Sequence, residues 1–151
     1  MLVKNIFEKG DASKKSGDDY PLRIYVMFKY DPQKAGMWER IKYKTAKVLY
    51  GTYPPYASLN YIWANKKHEK DVLENKYTNR AQMIPIGFGR HGLGKWKVVE
   101  VNMVRDYKRA FGKAPPAIAR IAIMNDSDNT GEKAVSLVDF IEVADKPING
   151  N

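Results

Sequence analysis

The sequence predicts an all-β domain with one α-helix, arranged as a β-sandwich of the jelly-roll kind. Short segments of alternating apolar and polar residues recur along the chain, and turn residues separate them at irregular intervals. The predicted strands do not alternate with helices, which argues against a doubly wound α/β fold. A length of 151 residues suits one domain better than two.

The clearest strand is predicted over residues 22–30, where apolar and polar side chains alternate with a period of two. That period is typical of a strand with one buried face. Residues 57–64 show the same pattern. Four further strands are predicted at 82–86, 96–102, 118–124 and 134–143.

A helix is predicted over residues 34–50, ended by Gly51 and by the two prolines that follow. The faces of this helix that lie outside its apolar stripe are basic. Residues 104–111 predict two further helical turns, and 65–79 a long loop. The apolar stripe of the first helix comprises Met37 or Trp38, Ile41, Thr45, Val48 and Leu49.

These elements divide the chain into an irregular N-terminal segment (1–16), a β-sandwich domain (17–145) and a C-terminal tail (146–151). The 26 basic and 17 acidic residues give a net charge of +9. Such a surface attracts acidic glycans, anionic lipid or nucleic acid. The same charge is also ordinary for a soluble domain.

The absence of cysteine excludes disulfides, thiolate metal sites and cysteine nucleophiles. No apolar run approaches the roughly 20 residues that a transmembrane helix needs. Residues 1–16 lack the apolar core of a signal peptide. From the residues alone we therefore expect a cytoplasmic protein.

The segment 126–131 is similar to the first half of a calcium-binding loop, in which alternating oxygen side chains converge on one cation. The standard pattern then needs a glutamate where this chain has Leu137. Residues 125–145 nevertheless carry six acidic side chains and one lysine. We predict a structural calcium ion held by Asp126, Asp128 and Thr130. The alternative is a turn whose side chains cap backbone amides.

Two more acids, Asp18 and Asp19, precede the first strand. They are predicted either to join the same cation or to pair with Arg23. A surface turn with a salt bridge is the simpler interpretation.

Aromatic and planar polar side chains on neighbouring strands predict a ligand site. Sugars bind where an aromatic ring meets their C–H face and polar groups take their hydroxyls. The alternative for Trp63 is burial in the core. The predicted ligand-binding residues are Arg23, Tyr25, Asn60, Trp63 and Arg80.

Other patterns carry less weight. The glycine-rich segment 87–92 matches a dinucleotide fingerprint by letter, but a turn and a strand follow it where a phosphate site needs a helix.

The chain has no G-x-S-x-G or H-E-x-x-H motif. A polysaccharide lyase or glycoside hydrolase that uses Arg23, Tyr25 or paired acids remains an alternative.

A second alternative is binding to an anionic surface or a nucleic acid through the basic helix 38–50, in which Tyr43 and Tyr50 could stack on bases. Nucleic acid is disfavoured because the aromatic residues are sparse.

Several segments occur in an order that is fairly specific as a set. They are GDDY (17–20), LRIYVMF (22–28), the stretch from Trp38 to Pro55, LNYIWAN (59–65), DYKRAFG (106–112) and IAIMNDSDNTG (121–131). Together they resemble a bacterial family known as domain of unknown function 3047, over residues 17–143. The resemblance implies a sandwich fold similar to carbohydrate-binding modules and an exported, periplasmic or secreted protein. The short opening departs from the family pattern, so either an N-terminal part is missing here or the chain is a shortened variant.

The sequence thus predicts a non-catalytic ligand-binding module of the bacterial cell envelope. The predicted ligand is a glycan or another small polar molecule. The sequence predicts no oligomeric state.

Overall fold

The structure is a computed structural model that describes residues 1–146, and Tyr50 by its backbone alone. It contains seven strands and two α-helices within that range. The elements are β1 (Leu2–Val3), β2 (Arg23–Phe28), α1 (Met37–Tyr50), β3 (Ala57–Ala64), β4 (Leu73–Glu74), β5 (Ala81–Phe88), α2 (Met103–Phe111), β6 (Ala119–Met124) and β7 (Ser136–Leu137).

The strands form a five-stranded sheet in the order β4-β5-β3-β2-β6 and a two-stranded sheet of β1 and β7. Strand β2 runs antiparallel to both β3 and β6, so Tyr25 lies between Asn60 and Ala122. Strands β3 and β5 run parallel, which requires a crossover connection. The prediction of a mainly β chain is confirmed, with two helices and two sheets. A jelly roll, by contrast, is antiparallel throughout.

One face of the large sheet is apolar and carries the main core. Side chains from β2, β3 and β5 pack there against Tyr107 of α2. The Tyr61 hydroxyl donates a hydrogen bond to Asp106 Oδ2 at 3.0 Å, which fixes α2 on the sheet. Segments 97–101 and 138–144 border the rest of this face and leave an apolar cavity of about 330 Å³.

The opposite face of the sheet is covered by the N-terminal segment. Tyr20 and Ala12 pack on Ile62 and Met83, so all eight residues of β3 are buried. The segment 1–16 has little regular structure beyond β1, as predicted. It is nevertheless part of the packed unit, because Val3 and Phe7 are fully buried.

The strands predicted around β2, β3, β5 and β6, and both helices, are confirmed within a few residues. The strand predicted over 96–102 is wrong, and that over 134–143 shrinks to the two residues of β7. A segment in which apolar and polar residues alternate forms a strand only when a neighbouring strand pairs with it. Within the described chain, Lys97 exchanges backbone hydrogen bonds only with Met1, so no ladder forms.

Helix α1 is oriented against expectation. Its apolar stripe, from Met37 to Leu49, faces solvent. The side that contacts the domain carries Tyr43, whose ring stacks on Tyr30 with a centroid distance of 3.7 Å. An aromatic cluster at the end of the sheet therefore positions the helix, in place of the apolar stripe.

The predicted tail, apart from Lys146, lies outside the described residues. Within residues 1–146, neither helix has the length and apolar character needed to cross a membrane.

The close approach of Gly87 to Trp63 generates a stability prediction. A Cβ at position 87 would lie 2.5–2.9 Å from three atoms of the Trp63 ring. The ring cannot easily move, because its Nε1 donates to Gly89 O at 3.0 Å. We expect Gly87→Ala to lower the free energy of unfolding by about 1–3 kcal/mol in urea denaturation.

The control is a double-mutant cycle with Trp63→Leu, which removes the ring that the added methyl group would strike. The cost of Gly87→Ala should fall substantially in that background. An equal cost in both backgrounds would show that the clash is not its cause.

Candidate functional site

Arg23 is the centre of a buried polar cluster on the face of the sheet opposite α2. It is only 4% exposed. Its guanidinium donates to the Asp18 backbone carbonyl at 2.6 Å and to the Tyr25 hydroxyl at 3.1 Å, and it pairs with Asp126 Oδ2 at 3.3 Å. It also lies 4.5 Å from the centre of the Tyr20 ring. These five residues form the Arg23 cluster.

Asp126 of the Arg23 cluster and the neighbouring Asp19 are carboxylates whose pKa values shift in opposite directions. Burial raises the pKa of Asp126, Arg23 opposes that rise, and Asp19 and Asp18 add to it. Burial also opposes the shift at Asp19, yet hydrogen bonds from Asn129 and Thr130 lower its pKa. One carboxylate is therefore stabilised as an anion, while its neighbour is penalised by like charge.

Tyr25 presents a neutral phenol to the Arg23 guanidinium. Burial raises the pKa of this phenol in spite of the lowering effect of Arg23. The phenol therefore stays protonated at neutral pH.

Several buried polar atoms near Arg23 have no hydrogen-bond partner within the described chain. Buried polar atoms normally find a partner in protein or ordered water. Because Asn60 is only 1% exposed, only a water molecule or a small ion could reach these groups without rearrangement. The atoms are Asp18 Oδ1, Arg23 Nε, Asn60 Oδ1 and Asp126 Oδ1.

Three carboxylates converge beside the Arg23 cluster. One oxygen from each of Asp19, Asp126 and Asp128 lies within 4.8 Å of the others. Asp19 is held in place by the Thr130 backbone N–H at 2.6 Å and by the Asn129 side-chain amide at 2.9 Å. We call these three carboxylates the acidic triad.

The acidic triad brings together acids from both acidic segments that the sequence analysis singled out. Asp126 and Asp128 do lie together, and Asp19 joins them across more than a hundred residues of chain. Asp18 instead lies 3.6 Å from the Arg23 guanidinium. Thr130 positions Asp19, and its hydroxyl accepts from the Glu132 N–H.

Arg80 lies at the other end of β3, in a cleft of about 200 Å³. Its guanidinium lies over the rings of Tyr43 and Tyr56, 5.2 and 5.5 Å from their centroids, and pairs with Glu39 at 3.1 Å. Lys113 Nζ donates to the Tyr56 hydroxyl at 2.6 Å. The cleft is lined by Tyr56, Ala57, Asn79, Arg80, Tyr107, Phe111 and Lys113, and we call it the Arg80 cleft.

One polar group of the Arg80 cleft lacks a partner. Tyr107 is fully buried, and its hydroxyl makes no hydrogen bond within residues 1–146. Burial raises the pKa of this phenol to about 12, so at neutral pH it remains a potential hydrogen-bond donor.

The predicted ligand residues thus fall in three places. Arg23, Tyr25 and Asn60 share one face of the sheet; the alternation predicted this for Arg23 and Tyr25 within their own strand. Arg80 lies at the far end of β3. Trp63 is 2% exposed and packs in the core with Val3 and Leu22.

Sequence reasoning missed the partners of Arg80 in its cleft. Tyr56 follows one Pro-Pro pair, and Phe111 and Lys113 precede the other. The two Pro-Pro pairs mark loops, but nothing in the sequence shows that these loops meet.

Comparison with known proteins places nearly the whole chain in one family. The family model described as Protein of unknown function (DUF3047) matches residues 2–142. No curated protein and no solved structure is matched. The match includes the Arg23 cluster, the acidic triad and the Arg80 cleft.

The buried Arg23 cluster generates a pH-dependent prediction. We expect Arg23→Gln to lower the free energy of unfolding by about 3–5 kcal/mol at neutral pH, because Asp18 and Asp126 would be left buried without their cation. The pKa of Asp126, already raised, would rise further. A carboxyl whose pKa is higher in the folded than in the unfolded protein binds its proton more readily when the protein is folded. The loss of unfolding free energy in Arg23→Gln should therefore shrink as the pH falls through that pKa.

Urea denaturation at neutral and mildly acidic pH measures this deficit. Arg120→Gln, an exposed arginine on β6, is the matched control and should cost little at either pH. A deficit for Arg23→Gln that is below about 1 kcal/mol, or independent of pH, would contradict this account of the cluster.

Proposed function

The chain belongs to the DUF3047 family of proteins of unknown function, and we propose that it is a non-catalytic module that binds a glycan in the Arg80 cleft. The observation that carries this proposal is the combination in one cleft of aromatic rings, two cations and a side-chain amide. These are the groups that take the C–H faces and the oxygen atoms of a sugar.

The cations of the cleft favour a glycan that carries a carboxylate, such as a uronic acid. Glu39 neutralises Arg80 in part, at 3.1 Å. Within residues 1–146, Lys113 has only the neutral Tyr56 hydroxyl as its hydrogen-bond acceptor. The cleft therefore keeps a net positive charge. The Arg80 guanidinium is held in place by Tyr43, Tyr56 and Glu39, which orients its remaining N–H groups for a carboxylate.

The size of the cleft favours a small part of a glycan. Its volume of about 200 Å³ lies below the roughly 300–1,000 Å³ typical of pockets for drug-sized ligands. A single terminal sugar fits this scale better than an internal stretch of polysaccharide.

The fold that suits this role is a jelly-roll β-sandwich similar to carbohydrate-binding modules. The two sheets and the apolar core on one face of the larger sheet support it. The parallel pair of β3 and β5 is the feature that departs from it. A location in the bacterial cell envelope is part of the proposal and depends on the family resemblance.

A structural calcium ion at the acidic triad completes the proposal. Three carboxylate oxygens within 4.8 Å of one another suit a hard cation. Asp126 Oδ1 is buried and lacks a partner within the described chain, so it has an unused lone pair. A cation would also offset the repulsion that raises the pKa of Asp126.

The glycan proposal predicts binding of uronic-acid oligosaccharides, measured by calorimetry. We expect Lys113→Gln to weaken that binding about tenfold, because it removes the less neutralised cation. Lys108→Gln, at an exposed position on α2, removes the same charge elsewhere and should bind normally. No binding by the parent chain, or equal weakening by both variants, would overturn the proposed site.

The calcium proposal predicts thermal stabilisation. At a hundredfold excess over Kd, Ca²⁺ should add about 2.7 kcal/mol, which is roughly 5–10 °C in Tm for a chain of this size. Asp128→Asn should abolish the shift, because it removes one of the three carboxylate charges that would hold the cation; Asp128 is the exposed member of the triad, so the substitution itself should cost little stability. Asp139→Asn, on an exposed acid outside the triad, should keep it. An unchanged Tm in Ca²⁺ would sink the proposal.

A further inference from the structure

The outward side of α1 carries a continuous apolar surface. At 3.6 residues per turn, its apolar stripe occupies an arc of about 120° around the helix axis. Trp38 is 84% exposed and Val48 79%. The members of this outer arc are Met37, Trp38, Ile41, Thr45, Val48 and Leu49.

The outer arc points away from the domain because of how α1 is anchored. Tyr43, on the opposite side of the helix, is buried against Tyr30. Glu39 lies on the inner side, paired with Arg80. Both contacts fix the rotation of the helix, so the apolar side chains stay exposed.

Cations flank the outer arc on both sides. Lys42 lies next to one edge, and Lys44 next to the other, with Arg40 and Lys47 beyond it. The helix has one acidic residue, Glu39, which faces inward. The exposed surface of α1 is therefore apolar at its centre and purely cationic at its margins.

We propose that α1 docks this surface on an anionic lipid bilayer. A helix that lies in the membrane interface buries an apolar arc at the boundary of headgroups and acyl chains and places lysines among anionic headgroups. Trp38, at the side of the arc nearest Lys42, has the amphipathic ring that favours this depth. The helix of 14 residues would lie flat along about 21 Å of the surface.

The same surface suits a nucleic acid less well. Bases need exposed rings on which to stack, and Tyr43 is buried under the helix. The broad aliphatic arc would gain nothing from phosphates, whereas a bilayer accepts both its apolar centre and its charged margins.

Vesicle co-sedimentation tests the proposal. The probes are vesicles of equal parts phosphatidylglycerol and phosphatidylcholine, and vesicles of phosphatidylcholine alone. We expect binding only to the anionic vesicles. Binding should weaken roughly tenfold or more for Lys42→Gln/Lys44→Gln, and by a similar factor for Trp38→Ser. The matched charge control is Lys70→Gln/Lys76→Gln, at exposed positions off the helix, which should bind almost normally.

Fluorescence gives an independent readout of depth. In a Trp96→Phe background the emission comes from exposed Trp38 and buried Trp63, and anionic vesicles should shift the emission of Trp38 to shorter wavelength. Every variant position is exposed, so the Tm of each should match that of the parent.

Two results would overturn the proposal. One is a failure to bind anionic vesicles. A chain that does not bind them but self-associates in light scattering, with the association abolished by Trp38→Ser, would overturn the proposal in the same way. The other is equal weakening of binding by both lysine-pair variants, which would show that binding depends on net charge alone.

Discussion

The burial of β3 on both faces is the constraint from which most of the structure follows. All eight residues of this central strand are buried. One face must therefore be covered by α2 and the apolar core, and the other by the N-terminal segment with Tyr20. Polar side chains on the second face, such as Asn60, then lie inside the protein. There they need charged or hydrogen-bonding partners, because an unpaired buried polar group is costly.

Because of this constraint, the buried polar residues and the accessible ones lie in different parts of the domain. The Arg23 cluster occupies the covered polar face and holds the loop before β2 against the loop after β6 through Asp18 and Asp126. Accessible functional groups lie instead where the sheet ends, at the Arg80 cleft and on α1. The two sites share Tyr43 and Glu39, which contact Arg80 from α1. The shape of the cleft and the orientation of the helix are therefore linked through the same contacts.

Much of the fold could be predicted from sequence, because strands such as β2 and β3 carry strict alternation and α1 ends at a glycine. The same period placed Arg23 and Tyr25 on one face of their strand, but it did not place Asn60 beside them. Two things could not be predicted: the failure of 96–102 to form a strand and the rotation of α1. Each depends on contacts between segments far apart in the chain, and local periodicity carries no information about such contacts. The Arg80 cleft was missed for this reason, although Arg80 itself was named.

In our proposal the Arg80 cleft recognises ligand while the Arg23 cluster is internal structure. Backbone amide chemical shifts, followed by NMR during titration with galacturonate oligosaccharides, test both halves at once. We expect saturable shifts in residues 79–80 and 111–113 and around Tyr56, with little change in residues 18–25 and at Asn60. Shifts centred on Arg23, Tyr25 and Asn60, with the cleft silent, would contradict it.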